Sequence, residues 1–322
     1  MQVFNLVKAR CYKMLKEKKL NLIGVALLLG ATLVWGTSFF ILKQTIEKVP
    51  AFYVISIRFL FASGALSLIF IKKIKAMDRK TFLRGVILGC FLAGAYIAQT
   101  VGLKNTTPGR NAFLTSTYCV TCPFLLWILF KKRPKLYNLI AAVLCIAGVG
   151  FVALSGEKGG SFLSTLLGDG LTLVGSIFFG FQIVFIDKFQ KQGYDSIRLL
   201  IPQLLTAGVI TGIVTLCFEL PFTGISAYAL KWEQIWRVIY LTLACTLFAQ
   251  FAQIIGQKFT TPNQSSIILS LESVFGVLFS VIFADEKLTG WVIAGFVVIF
   301  VAILISELHL DPVKLFKKKK SE

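Results

Sequence analysis

Ala98-Gln99-Thr100-Val101-Gly102-Leu103-Lys104-Asn105-Thr106-Thr107-Pro108 returns 154 residues later as Ala252-Gln253-Ile254-Ile255-Gly256-Gln257-Lys258-Phe259-Thr260-Thr261-Pro262. Seven of the eleven positions are identical, including Gln, Lys and Thr positions that an apolar composition alone would not reproduce. A repeat inside an apolar chain predicts two related bundles, with any solute site at the seam between them.

The register extends outward from that segment. At the same offset Ser116 lies over Ser270, Tyr118 over Glu272 and Val120 over Val274. Ser56-Ile57-Arg58-Phe59-Leu60 reappears as Ser196-Ile197-Arg198-Leu199-Leu200 at an offset of 140, and Gly24 and Gly36 meet Gly168 and Gly180 at 144. A longer connection over 220–235 absorbs most of the difference. The 322 residues are 56% hydrophobic and 15% charged, with a mean hydropathy of +0.79. Soluble domains carry about a quarter charged residues, so this is a membrane composition. Apolar stretches recur over 21–42, 53–71, 82–103, 111–130, 136–155, 167–187, 198–219, 236–256, 263–284 and 289–307. Each has about the 20 residues that cross about 30 Å of hydrocarbon as a helix, and they are too continuous for barrel strands.

The predicted fold is therefore an all-α integral membrane protein of ten transmembrane helices in two five-helix repeats. Five is odd, so the second repeat enters the membrane inverted. The expected organisation is a basic amphipathic segment over 1–20, repeats over 21–155 and 166–308, and a basic tail over 309–322.

The formal net charge of +19 invites a nucleic-acid reading, but the charges alternate by loop. Of 34 Lys/Arg, 25 fall on the side of the N-terminus and eight on the other, leaving only Arg58. That bias is the positive-inside rule. It places both termini in the cytoplasm, most simply in a plasma (inner) membrane, and makes nucleic-acid binding unnecessary. The basic ends, including Lys317–Lys320, are expected to lie on anionic lipid. In the first twenty residues Phe4, Val7, Cys11 and Met14 share one side of a surface helix. The following apolar run shows no small-residue cleavage site and belongs to the repeat, so it is read as a retained first span.

Catalytic and cofactor motifs are missing. Cys119 and Cys122 form a CxxC within a span, with no second pair, and read as small apolar packing rather than metal or redox chemistry. The single histidine, His309, leaves no HExxH. Gly168-Asp169 precedes Tyr194-Asp195, the reverse of an intramembrane aspartyl protease, and position 153 before Ser155 is Ala rather than the Gly of a serine motif. No Gly-x4-Gly-Lys-Ser/Thr is present. The chain is read as neither an enzyme nor an ATP-driven pump, and no cofactor is expected.

Trp35-Gly36-Thr37-Ser38-Phe39, Pro50 and Arg58-Phe59 resemble the opening of EamA-type members of the drug/metabolite transporter superfamily. Leu271-Glu272-Ser273-Val274, then Asp285-Glu286-Lys287-Leu288-Thr289 and Gly295, are similar to that family's second-half signature. The resemblance spans about 21–308 and implies a ten-helix transporter, often an exporter of amino acids, related metabolites or drugs. Two departures stand out. Ser273 occupies a position where the family often has Pro, and the first half carries Lys131-Lys132-Arg133-Pro134 where the second has Asp285-Glu286.

Polar residues within spans are the site candidates. Glu272 falls near the middle of the ninth span, where a charge costs about 2.5–3.5 kcal/mol on insertion scales. It should face the bundle interior, to exchange a proton, to bind a cationic group of the solute, or to bond a neighbouring helix. Tyr118, its repeat partner, offers a hydroxyl and an aromatic face. Gln99 and Gln253 are repeat equivalents, and Asn111, Thr115, Thr117, Gln264, Ser265 and Ser266 begin the fourth and ninth spans. These offer a neutral hydrogen-bonding surface or tie helices together. Gln182 stands in an aromatic stretch. Trp35 is too deep for the interfacial belt that explains Trp127, Trp232, Trp236 and Trp291, and either lines a cavity or packs in the core. Arg58 is expected at its helix entrance, like Arg198, snorkelling as an anchor. Asp285 and Glu286 are read as a turn, with Thr289 capping the tenth span.

Together these features predict a secondary transporter that moves small, partly apolar solutes by alternating access, outward and with protons as a coupled partner. The alternative is a channel or passive facilitator.

Overall fold

The structure is a computed structural model that describes residues 2–154, 162–260, 265 and 268–307, with side chains described over 18–151, 163–260, 265 and 268–305. Gln264, Ser266, Thr261, Pro262, Ser155, Lys158, His309 and the terminal lysines lie outside the described residues, as do the side chains of Phe4, Val7, Cys11 and Met14. The described residues contain helices and no strand. The ten longer ones are α1 (Gln2–Ile46), α2 (Ala51–Ile69), α3 (Arg79–Asn105), α4 (Pro108–Phe130) and α5 (Leu136–Leu154), then α6 (Phe162–Lys191), α7 (Ser196–Thr223), α8 (Trp232–Phe259), α9 (Ile268–Phe283) and α10 (Gly290–Glu307). Seven are at least 18 residues long and apolar enough to cross a bilayer; α5, α9 and α10 contribute shorter apolar stretches. The basic segment continues into the first span without a break in α1.

The packing follows the repeat. α3 packs on α6 as α8 packs on α1, and α4 packs on α6 as α9 packs on α1. α2 packs on α7, α4 on α9 and α5 on α10, so repeat-equivalent helices meet across a pseudo-two-fold axis. Glycines show the symmetry at atomic scale. A Cβ on Gly24 would meet Phe259 and Gly256, and one on Gly168 would meet Asn105 and Gly102, the same positions one repeat away. Gly36 lies against Phe275 and Gly276, as Gly180 lies against Thr121 and Cys122. Such contacts let backbones approach where lipid provides no hydrophobic drive between helices. α4 and α9 even stop alike, each followed by a left-handed residue, Lys131 (φ 59°) and Asp285 (φ 50°), 154 positions apart.

Cross-loop contacts sort the connections onto two faces. On the basic face, Asp195 caps α7, accepting from the backbone N–H groups of Ile197 (3.0 Å) and Arg198 (3.1 Å) and from Lys73 Nζ (2.7 Å). On the opposite face Glu219, at the end of a π-helical stretch in α7, accepts from the N–H groups of Phe52 and Tyr53 at 3.0–3.1 Å, so a second-half carboxylate caps α2. Partial burial alone would raise the Asp195 pKa; the Lys73 and backbone hydrogen bonds outweigh it and hold it below the usual 3.8. A depressed pKa stabilises the fold above the unfolded-state value, and that contribution is lost as pH falls through the folded one. Asp195→Ala should cost about 1 kcal/mol at neutral pH. The gap to the parent, measured by thermal melting in detergent, should close below pH 3.8.

Trp127, Trp232, Trp236 and Trp291 are all exposed. Thr289 caps α10, its Oγ1 accepting from Val292 N at 3.4 Å. Glu286 is not confined to its turn. It reaches α4, where Thr107 Oγ1 donates to it at 2.5 Å and Gly109 N at 2.8 Å, while Ser280 Oγ donates from its own side. The first turn of α4 leaves N–H groups without helical partners, and a carboxylate there is favoured by both hydrogen bonding and dipole. Sequence offers no view of a partner 179 residues away.

Candidate functional site

Two helices change pitch at equivalent places. α4 consists of Pro108–Thr115 and Tyr118–Phe130, joined by a tight turn at Ser116 (ψ −8°) and Thr117 (ψ −10°). α9 tightens at Leu271 (ψ −14°), and a regular helix resumes at Glu272. The chemistry of the turns is local. Ser116 and Thr117 return their hydroxyls to the carbonyls of Ala112 and Leu114, and Ser273 donates to that of Ser270 at 2.8 Å. Such bonds compete with the helical ladder and bend it. Ser116 Oγ also donates to Ser270 O at 3.3 Å, tying the two turns together across the axis. Tyr118 and Glu272 are thus the first residues of new helical segments at the centre of the bundle.

A narrow cavity of about 30 Å³ surrounds this point. Its side chains leave a slot rather than a chamber. Ten of its lining residues form five repeat pairs: Trp35 with Phe179, Phe39 with Ile183, Gln99 with Gln253, Thr115 with Leu269, and Tyr118 with Glu272. The cavity therefore straddles the pseudo-two-fold axis. The remaining lining residues, Ser38, Leu42, Arg58, Tyr96 and Leu103, all come from the first half.

Of the eight predicted site residues, six border this space: Glu272, Tyr118, Gln99, Gln253, Trp35 and Thr115. Glu272 and Tyr118 line the same space, and both side chains are buried. Gln99 Nε2 donates to Thr115 Oγ1 at 2.9 Å, and Trp35 Nε1 to Cys245 O at 2.9 Å. The other two sit just behind the wall. Gln182 Oε1 accepts from Gln253 Nε2 at 3.4 Å. Asn111 donates to Gln99 O (3.1 Å) and Thr172 Oγ1 (2.7 Å), tying α4 to α3 and α6.

Arg58 corrects the sequence reading. It does not snorkel at a helix entrance; it is 1% exposed and lines the cavity. The comparison with Arg198 misled because the two helices start out of register. The offset that overlays the two Ser-Ile-Arg motifs would start α7 at 191, but it begins at Ser196, which leaves Arg58 five residues deeper than Arg198. The available signal was its isolation, since Arg58 is the one Lys/Arg that the loop census cannot place. Tyr96, edge-on to Phe59 and Phe179, also went unread.

Arg110, one of the eight Lys/Arg counted opposite the N-terminus, lies within α4 rather than in a loop. It is 2% exposed and forms an ion pair with Asp169, which also accepts from Thr106 Oγ1 at 2.9 Å. The repeat equivalents of these two charges are Gln264 and Val25, so this clasp belongs to one face only. Among the described residues no group of three or more His, Cys, Asp or Glu is arranged to hold a metal.

The chain matches the EamA-like transporter family over residues 22–154 and 166–308. It is 30% identical over 292 residues to an uncharacterized transporter of Archaeoglobus fulgidus, which spans 89% of this chain and 86% of that protein. Over 207 residues it is 23% identical to solute carrier family 35 member F2 of Mus musculus, covering 60% of this chain and 53% of that one. A solved crystal structure superposes with a TM-score of 0.66 over 92% of this chain and 99% of the other; at 15% identity it shows a shared fold alone. Two family segments laid over the two helical repeats make this chain a member of the EamA-like transporter family, a multi-pass membrane transporter of small solutes.

Proposed function

We propose that the protein is a proton-coupled exporter of small, partly apolar metabolites that works by alternating access, with its basic face in the cytoplasm of a plasma-membrane-type bilayer. The observation that carries this reading is the cavity on the pseudo-two-fold axis, built from five repeat pairs with one carboxyl among them. Two inverted bundles of one construction can exchange conformations, turning an opening on one face into an opening on the other. Glu272 is the group that exchanges the proton. An ionisable residue held in a membrane interior is retained at a cost of several kcal/mol on most scales, and function is its usual reason. Its symmetry mate Tyr118 carries a neutral hydroxyl, so the coupling sits on one side of the axis. The alternating loop charges support the orientation, and the basic ends would rest on anionic lipid.

Purified protein in liposomes, offered amino acids, amines, nucleosides and dyes across an imposed pH gradient, tests the reading. At least one solute should accumulate against its gradient while protons move the other way. No solute movement and no proton current across the panel would overturn it.

A further inference from the structure

The cavity carries a positive charge that the transport reading leaves unused. Arg58 extends from the middle of α2 into the lining, and among the described residues no carboxylate lies within ion-pair distance of it. Its Nε donates to Thr246 Oγ1 at 2.9 Å, and its guanidinium lies 5.8 Å from the centre of the Tyr96 ring. Nη1 is buried and has no hydrogen-bond partner.

The wall that orients this group is built by an irregularity in α8. Over Leu243–Phe248 the helix widens to π geometry. Thr246 Oγ1 donates back five residues to Leu241 O at 2.9 Å and presents its lone pair to Arg58; Cys245 O is turned to Trp35. Widened turns of this kind occur frequently at functional sites. Arg58 is thus fixed at Nε and free at Nη1, while a guanidinium buried without a countercharge carries a large desolvation cost. An anion arriving in the cavity recovers that cost and finds a planar fork whose geometry suits a carboxylate. Around it, Trp35, Phe39, Phe179, Ile183 and Leu269 are apolar.

We propose that Arg58 is an anion subsite of the cavity and that the solute class is carboxylates borne on a compact apolar or aromatic body. The inference rests on the reading of this cavity as the solute path, and it adds a charge requirement which that reading lacks. Glu272 lies across the seam on α9, leaving the two charges to separate tasks: Arg58 holds the solute and Glu272 exchanges the proton.

Binding to the purified, full-length protein in detergent tests the subsite without any transport step. Benzoate, benzamide and benzylamine have similar bodies and differ in charge; they would be titrated at constant ionic strength, with binding followed by thermal stabilisation. Benzoate should bind the parent about tenfold to a hundredfold more tightly than the other two, the size expected for hydrogen bonds to a charged group. Arg58→Gln should erase that preference, and Arg58→Lys should retain part of it. Equal binding of the three probes by the parent would overturn the subsite, even if Arg58→Gln failed to fold. So would a benzoate preference that persists in a folded Arg58→Gln protein. Transport confined to amines or neutral solutes would leave the transporter reading standing and remove the subsite. Selective benzoate binding with no flux of any solute would do the reverse.

Discussion

Glu272→Gln should abolish solute-coupled proton movement while leaving a folded, inserted protein. Glutamine keeps the shape of the side chain, so the tight turns of α4 and α9 and their Ser116–Ser270 contact have no reason to move. What it lacks is a titratable proton. In liposomes the variant should give solute flux that no longer responds to a pH gradient, a loss of at least about tenfold in gradient-driven accumulation if that one site carries the coupling. A matched size-exclusion profile and melting midpoint would show that folding is not the cause. Transport with unchanged pH dependence would remove Glu272 from the mechanism. Tyr118→Phe provides a graded control, since it deletes one hydroxyl from the cavity and leaves the carboxyl.

The second large effect concerns the clasp between the repeats on the face opposite the basic loops. Asp169→Ala should destabilise the protein by about 3–5 kcal/mol, because it removes the carboxylate paired with a buried guanidinium. Arg110 and Asp169 are 2% and 4% exposed, so water cannot take over the role of the lost carboxylate. Thr106 loses its acceptor as well. The double variant Arg110→Leu, Asp169→Leu should recover most of the loss, since a buried ion pair and apolar residues of similar volume are often close in free energy. Unfolding in mixed detergents measures both. A loss below about 1 kcal/mol in Asp169→Ala, the range of a solvated surface pair, would contradict the buried geometry.

Three second-half carboxylates on that face hold first-half partners: Asp169 holds Arg110, Glu219 caps α2 and Glu286 caps α4. On the basic face Asp195 of the second half holds Lys73. The halves thus differ in the charges at their rims more than in their helices.

The helical architecture was legible because a membrane imposes span length and a repeat imposes register. The residues at the axis followed from depth and register together, since mid-span positions related by 154 face each other across the axis if the bundles are alike. Glu272 stands out by its depth in the span, and Tyr118, Gln99 and Gln253 by their repeat equivalents. The same reasoning failed at Arg58, where two identical tripeptides sit at different depths because their helices begin five residues apart. It had no purchase on Asp169, Glu219 or Glu286. Each owes its role to a partner at least 59 residues away with no repeat equivalent, and a pairing of that kind leaves no periodic trace. Trp35 was left between cavity and core; the irregular turn of α8 that supplies its carbonyl partner was not visible in an apolar run.

The central claim is that one cavity at the seam of two inverted repeats opens in turn to each face. Ser38 lines that cavity and returns its hydroxyl to its own helix at Trp35 O, so it tolerates a thiol. A Ser38→Cys protein lacking the native cysteines, oriented in vesicles, can be labelled with a membrane-impermeant maleimide from either side. Adding a saturating transported solute should raise the labelling rate from one face and lower it from the other. Rates that change together, or reactivity confined to one face under every condition, would contradict the account.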